Sequence, residues 1–177
     1  MKCGLNNFIS DESIDLHKKH LENLKLKYSI LEKSIPEIKN TDIRLLNKLR
    51  VKRYKNEALK TKCDIMCHDI YFTSFGEEYQ SSETVKKSYR TEASFLYEIF
   101  ETAKKWDGGG FILICVEKGC VFTHIGENAV DVFTRTNPVL AIDLCEHAYF
   151  LDYGFNKSLY LENALKRLNL NKLDKFF

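Results

Sequence analysis

The chain of 177 residues holds five histidines: His17, His20, His68, His124 and His147. The tightest grouping of chemically useful side chains is Asp143-Leu144-Cys145-Glu146-His147. A carboxylate and an imidazole stand four positions apart where an apolar run ends, so the chain turns between two groups that both bind transition-metal ions. Two readings stay open on this segment alone. Either the pair is part of a ligand set, or Asp143 caps the following turn and His147 is partly exposed. Cys63, Cys67 and His68 raise a zinc site, but their spacing is neither a ribbon nor a finger, and no second ligand pair is evident. His20, three residues after His17, is either a supporting partner of that histidine or a solvated helix residue, with the second reading favoured. His124 reads as structural.

The elements that carry these groups follow from periodicity. Ile9-Ser10-Asp11-Glu12-Ser13 supplies a cap and early carboxylates for a helix. Ile14, His17, Leu21, Leu24, Tyr28 and Leu31 then recur every three or four residues, one face of a long helix with His17 in its stripe. Pro36 is expected to end or kink it. Ile43, Leu46, Leu49 and Tyr54 suggest a second helix with lysines and arginines on its other face. A third is expected over Leu59 to Phe72, with Asp64, Ile65, His68 and Phe72 on one side. Phe75 to Ser88, polar and containing Gly76 and Ser81-Ser82, reads as a loop between two lobes.

Beyond it, Thr91 to Trp106 reads as a helix stopped by Gly108-Gly109-Gly110. The period then changes. Phe111–Val116, Cys120–His124 and Pro138–Asp143 read as strands, the first two joined by the turn Glu117-Lys118-Gly119. Leu159, Leu161, Leu165 and Leu168 mark a last helix. The fold class is α+β: an N-terminal helical hairpin lobe over residues 1–80, then a C-terminal lobe over residues 81–177, with a small antiparallel three-stranded sheet flanked by helices.

Composition narrows the function classes. Lysines and arginines number 27 against 25 carboxylates, a net charge of +2, too balanced for a nucleic-acid binder built on bulk charge. No apolar run approaches a membrane span. Neither nucleic acid nor membrane is therefore expected as a partner. The first residues form neither a signal core nor an arginine-rich presequence, so the expected compartment is the cytoplasm, with the mitochondrial matrix as the other choice. The six cysteines, Cys3, Cys63, Cys67, Cys115, Cys120 and Cys145, make no Cys-x-x-Cys pair and are read as free, mostly buried thiols.

The segment Ala141-Ile142-Asp143-Leu144-Cys145-Glu146-His147-Ala148-Tyr149-Phe150-Leu151-Asp152-Tyr153 closely resembles the C-terminal signature of the iron/manganese superoxide dismutases. Upstream, Ile9 to His17 is similar to the stretch that carries the family's first ligand. Cys67-His68-Asp69-Ile70-Tyr71-Phe72 looks like the stretch with the second, and Gly108 to Leu113 stands at the family's glycine-aromatic motif. The resemblance runs from about Ile9 to Tyr160. It implies one iron or manganese ion per chain, between the lobes, held by His17, His68, Asp143 and His147. Three imidazoles and a carboxylate without thiolate suit those metals better than structural zinc. The implied reaction is disproportionation of superoxide to oxygen and hydrogen peroxide, an antioxidant activity, in a homodimer.

The resemblance also assigns roles around the ligands. Glu146 is implied to bridge to the second subunit, and Lys157 to place a cation at the substrate channel. The family's glutamine near the ion falls on Asp64 or Ala129, so Asp64 is the expected group beside the solvent of the site. Its gateway tyrosine falls on Leu24 or Lys25, and two of its tryptophans fall on Phe111 and Cys145. Surroundings of this kind set redox potential. Two other readings therefore stand beside the dismutase: a structural subunit of dismutase-like fold, for example of a mitochondrial ribosome, and a metal enzyme with altered redox chemistry.

Overall fold

The computed structural model describes residues 4–39 and 44–176. Two long helices come first, α1 (Asp11–Lys39) and α2 (Arg44–Tyr71), each about 42 Å long at 1.5 Å per residue. They pair along their length as an antiparallel hairpin. Ser10 caps α1, its hydroxyl accepting from the Ser13 amide at 3.2 Å. The expected stripe is real: Ile14, His17, Leu21 and Leu31 are buried, and Leu24 and Tyr28 half-buried.

Three expectations for the hairpin need correction. Pro36 does not end α1, which continues to Lys39; it lies one turn before the end, where only one backbone bond is forfeited. The two helices expected between Ile43 and Phe72 are one continuous helix, α2. Leu46 and Leu49 do not form its buried face, being 57 % and 62 % exposed. The seam instead runs through Asn47, Ala58 and Thr61, because a two-helix arm covers only a narrow stripe of each partner. Ile43 lies outside the described residues.

The segment Phe75–Ser88 is not wholly loop. It ends in a short helix, α3 (Glu83–Ser88), capped by Ser82, whose hydroxyl accepts from the Val85 amide at 3.2 Å. The Asp174 carboxylate fixes that cap from the far end of the chain, accepting from the Ser82 hydroxyl at 2.6 Å. Helix α4 (Glu92–Lys105) follows, capped by Thr91, and buries Phe95, Ile99 and Ala103.

Strands β1 (Phe111–Glu117), β2 (Cys120–Gly126) and β3 (Pro138–Asp143) form an antiparallel sheet in the order β2-β1-β3. β1 is the central strand, and its first five residues are fully buried. Lys118 and Gly119 both take positive φ, 51° and 76°, as a two-residue hairpin turn requires. Gly110 has φ 92°, and a Cβ there would meet the Gly126 carbonyl oxygen at 2.2 Å, so glycine alone fits. A short helix that periodicity missed, α5 (Val130–Arg135), connects β2 to β3. Two helices close the chain, α6 (Phe150–Tyr153) and α7 (Lys157–Leu165). Leu161 and Leu165 are buried as expected, Leu168 is buried beyond the helix, and Leu159 is 43 % exposed.

The apolar core joins β1 and β3 to the end of α2, to α4 and to α7. The cysteines among the described residues are free; Cys63, Cys67 and Cys115 are buried, but Cys120 is exposed. Cys3 lies outside the described residues. No helix among them is long and apolar enough to cross a membrane.

Candidate metal centre

His17 stands in the second turn of α1, on the face that also buries Ser13, Ile14 and Leu21. His68 stands in the last turn of α2. Because α1 and α2 are antiparallel, the start of one lies beside the end of the other, and the two imidazoles meet with ring centroids 5.0 Å apart. Asp143 is the last residue of β3, paired with Phe111 across the sheet. His147 follows in a 3-10 turn over Glu146–Ala148. A separate tie brings the C-terminal segment to α1: Asp152 of α6 accepts from the Ser10 amide at 3.1 Å and the Ser13 hydroxyl at 2.6 Å.

These four residues converge. One donor atom from each of His17, His68, Asp143 and His147 lies within 4.8 Å of the other three. Asp143 Oδ2 is 3.0 Å from His147 Nε2, 3.2 Å from His17 Nε2 and 3.7 Å from His68 Nε2. Donors about 2.1 Å from a shared ion, at angles of 90–120°, would stand roughly 3.0–3.6 Å apart. The observed separations to Asp143 fit that arrangement.

The protonation logic fits as well. His68 Nδ1 lies 2.7 Å from the backbone carbonyl of Asp64. A carbonyl can only accept, so Nδ1 carries the hydrogen and Nε2 of the neutral ring keeps its lone pair. Burial pushes the His68 pKa down to about 4, against opposing pulls from Asp143 and the Asp64 carbonyl, so the ring is neutral at pH 7. Burial would raise the Asp143 carboxyl, but the hydrogen bond from His147 and the His17 imidazole close beside it outweigh that and hold the group below the usual carboxylate range. His68 Nε2 and Asp143 Oδ2 are thus two electron-rich atoms facing each other in a dry site. The Nε2 atoms of His17 and His68 are buried without a hydrogen-bond partner, an arrangement that a shared cation would satisfy.

Around the donors, Tyr71 and Phe72 lie against His17 with centroids at 4.9 and 5.1 Å, and Phe111 lies against His68 at 5.0 Å. Tyr160, fully buried, donates to the Asp143 carbonyl at 2.8 Å. Asp143 Oδ1 accepts from the Cys145 amide at 2.8 Å. The Cys145 sulfur sits 3.0 Å from the Gly110 amide and accepts from it. Burial pushes this thiol up to about 12, so it is a packing and hydrogen-bonding group and no thiolate at neutral pH.

The sequence-level favourite for His20, a solvated helix residue, is overturned. His20 stacks on His147 with centroids 4.4 Å apart and planes 28° apart, and its ring lies 5.3 Å from His68. It is half-buried, and its pKa is lowered by burial first and then by His147 and His17. Asp143 does cap the following turn, through the Cys145 amide, and His147 is partly exposed; the geometry adds that Asp143 Oδ2 and His147 Nε2 also stand among the four clustered donors. His124 is half-buried on β2 and is not among the four clustered donors.

The other expected residues surround the donors at different ranges. Asp64 is half-buried, and burial pushes its carboxyl up to about 6, with Lys27 pulling down and Asp143 pushing up. The link to the cluster that the structure shows runs through its backbone carbonyl, on His68. Glu146 is exposed and shares a groove of about 290 Å³ with Leu16, His147, Phe150 and Leu151. Lys157 lines a larger cleft of about 620 Å³ that also reaches His147. Its ammonium donates to the Trp106 carbonyl at 2.8 Å. Ala129, the other position for the missing glutamine, is buried before α5.

The chain is similar to proteins of one family. Residues 77–176 match the family described as iron/manganese superoxide dismutases, C-terminal domain. Over 96 % of its length the chain is 23 % identical to a superoxide dismutase [Fe] of Aquifex pyrophilus, covering 84 % of that protein. The iron enzyme of Aquifex aeolicus gives the same identity and coverage. A superoxide dismutase [Mn/Fe] of Porphyromonas gingivalis is 24 % identical over 88 % of the chain and 83 % of its own length.

Proposed function

This chain belongs to the iron/manganese superoxide dismutase family, and we propose that it disproportionates superoxide at one iron or manganese ion held by His17, His68, Asp143 and His147. The observation that carries the reading is the convergence of four donors from α1, α2, β3 and the turn after β3, two of them buried imidazole nitrogens without partners. When bound, such an ion would supply the one-electron chemistry by which two superoxides and two protons become oxygen and hydrogen peroxide.

The chain's own residues do the rest. The Asp64 carbonyl orients His68 and fixes its tautomer. The Asp143 carboxylate contributes the one negative charge of the donor set, and the Tyr160 hydroxyl and Cys145 amide hold it in place. Tyr71, Phe72 and Phe111 keep water from the inner side. His147, one third exposed, and His20 stacked on it form the solvent side, where a small anion can approach. Lys157 in the adjoining cleft adds positive charge to that approach. The Asp64 carboxyl is proposed as a nearby charge that tunes the centre.

Glu146 is proposed to join the centre to a second copy. It stands on a rim with exposed apolar neighbours, Leu16 at 49 %, Phe150 at 43 % and Leu151 at 57 %, which suits a twofold interface. The free thiols suit a reducing compartment such as the cytoplasm or the mitochondrial matrix. A scaffold role would not call for four converging ligands with a fixed tautomer, which favours the catalytic reading. The test is elemental analysis of purified protein together with a superoxide assay. About one iron or manganese per chain and metal-dependent turnover are expected; a folded, metal-loaded protein without turnover would sink the dismutase reading.

A further inference from the structure

The net charge of +2 conceals a segregation. Residues 48–62 of α2 hold seven of the 27 lysines and arginines and one of the 25 carboxylates. The remaining chain is left with 20 cations against 24 acids. Lys48, Arg50, Lys52, Arg53 and Lys55 fall within eight residues, and Lys60 and Lys62 continue the run. All seven are exposed. Among the described residues none of them forms an ion pair, and the one acid, Glu57, is already neutralised by Lys27 of α1 at 3.0 Å.

The helix arranges this charge along a rod. Lys48 to Lys62 spans about 21 Å at 1.5 Å per residue. At 100° per residue, Lys48, Lys52, Lys55 and Lys62 fall on one flank, and Arg53 and Lys60 on the other. Between the flanks lies a shallow groove lined by Leu49, Lys52, Arg53, Asn56, Glu57 and Lys60. We propose that this face of α2 binds the phosphate backbone of a nucleic acid.

Charge complementarity argues for a polyanion, since seven unpaired cations in 21 Å repel one another until counter-charges lie against them. A membrane surface fits less well. A helix that lies in a bilayer interface separates a continuous apolar face from its charges. Here the exposed Leu46, Leu49 and Leu59 alternate around the helix with cations, and the remaining face is spent on α1. The outer face carries no aromatic residue, so bases have nothing to stack on. Binding is therefore through phosphate, indifferent to sequence and steep in salt.

The experiment is fluorescence anisotropy of the full-length protein with a labelled 20-base-pair DNA duplex and a labelled 20-nucleotide RNA. Anionic phospholipid vesicles and size-exclusion chromatography run beside it. Binding at 50 mM salt should weaken about 100-fold by 200 mM if four phosphates are engaged. Changing Lys48→Gln, Lys52→Gln and Lys55→Gln together should cost tenfold or more in affinity and lower the salt slope by roughly 2 to 3. Removing equal charge elsewhere, with Lys18→Gln, Lys86→Gln and Lys105→Gln, should change affinity less than twofold. Circular dichroism checks folding, and Arg53→Gln with Lys60→Gln serves as the second arm variant if the first is unfolded. Failure to bind either nucleic acid at 50 mM salt overturns the proposal. So does an equal loss in arm and control variants, or arm-dependent binding that is tighter to vesicles or to a second copy than to nucleic acid.

Discussion

His68 Nε2 and Asp143 Oδ2 face each other at 3.7 Å, with no hydrogen available from the imidazole to join them. One sits at the end of a helix and the other at the end of a strand, 75 positions apart in the chain. The contact is unfavourable as it stands and becomes favourable with a cation between the two atoms. Loading with iron or manganese should therefore raise the melting temperature relative to chelator-treated protein. At a free metal concentration 100 times the dissociation constant the gain is about 2.7 kcal/mol. His68→Ala should abolish both the gain and most of the bound metal. A His68→Ala protein with full metal content by elemental analysis would remove His68 from the ligand set.

The same pair makes the metal-free protein sensitive to acid, and Asp64 works against it. His68 titrates at about 4 in the fold against an ordinary 6.5. Between those values the unfolded chain holds more protons, so stability is complete above pH 6.5 and is lost as pH falls toward 4. The full loss is on the order of 3 kcal/mol. Asp143, held low, adds a loss in the same direction below the ordinary carboxylate range. Asp64 is shifted the other way, to about 6 from 3.8, so it destabilises above pH 6 and that penalty is relieved as pH falls. Asp64→Asn should then raise stability at pH 8 and steepen the decline from pH 6.5 to 4.5, while the carbonyl on His68 is retained and metal content is kept. Urea midpoints of metal-free protein measure this. A flat profile in Asp64→Asn across that window would contradict it.

Glu146 and His147 lie on a rim whose apolar neighbours, Leu16, Phe150 and Leu151, are about half exposed in a single chain. A twofold dimer through this rim should dissociate more readily in Glu146→Ala, and more still in Leu151→Arg, which sets a charge on the apolar part. Sedimentation at micromolar concentration reads both. A metal-loaded, active wild-type monomer under those conditions would exclude the interface as part of the working enzyme.

The legibility of this fold tracked how local each signal was. β1 and β3 were readable to within a residue because they are uninterrupted apolar runs, and the turn between β1 and β2 because Lys118-Gly119 suits the positive φ that a tight hairpin demands. Asp143 and His147 are four residues apart, so their pairing was visible in one segment, although only the resemblance joined them to His17 and His68. Helix α2 was misread as two because its arm buries asparagine, alanine and threonine while leucines face outward, which inverts the usual apolar signal. Helix α3 was missed because it is only six residues long and its Ser82 cap, held by Asp174 some 90 residues away, stands in a polar stretch that reads as loop. Tyr160 and the Cys145 sulfur act through backbone groups, and no side-chain pattern announces such contacts.

His20 was the residue least legible in advance and is the most direct test of the solvent side. On α1 it lies three positions from His17, toward the edge of the buried face, and only the turn after β3 decides whether that edge is wet. There it stacks on His147 at 4.4 Å while lying outside the four-donor cluster. Its removal should leave the ligands in place and loosen the ring that screens them. His20→Ala is therefore expected to keep metal content within about a tenth of wild type by elemental analysis. Turnover should fall by roughly three- to tenfold, the scale of a lost supporting contact. Stacking needs a flat ring rather than a titratable one, so His20→Phe should restore His147 packing and thermal stability. If it also restores turnover, His20 acts by positioning alone. If turnover stays low and its pH profile flattens, the imidazole itself takes part in proton delivery. Loss of the metal in both variants would show that His20 supports the ligands more deeply than its place at the edge implies.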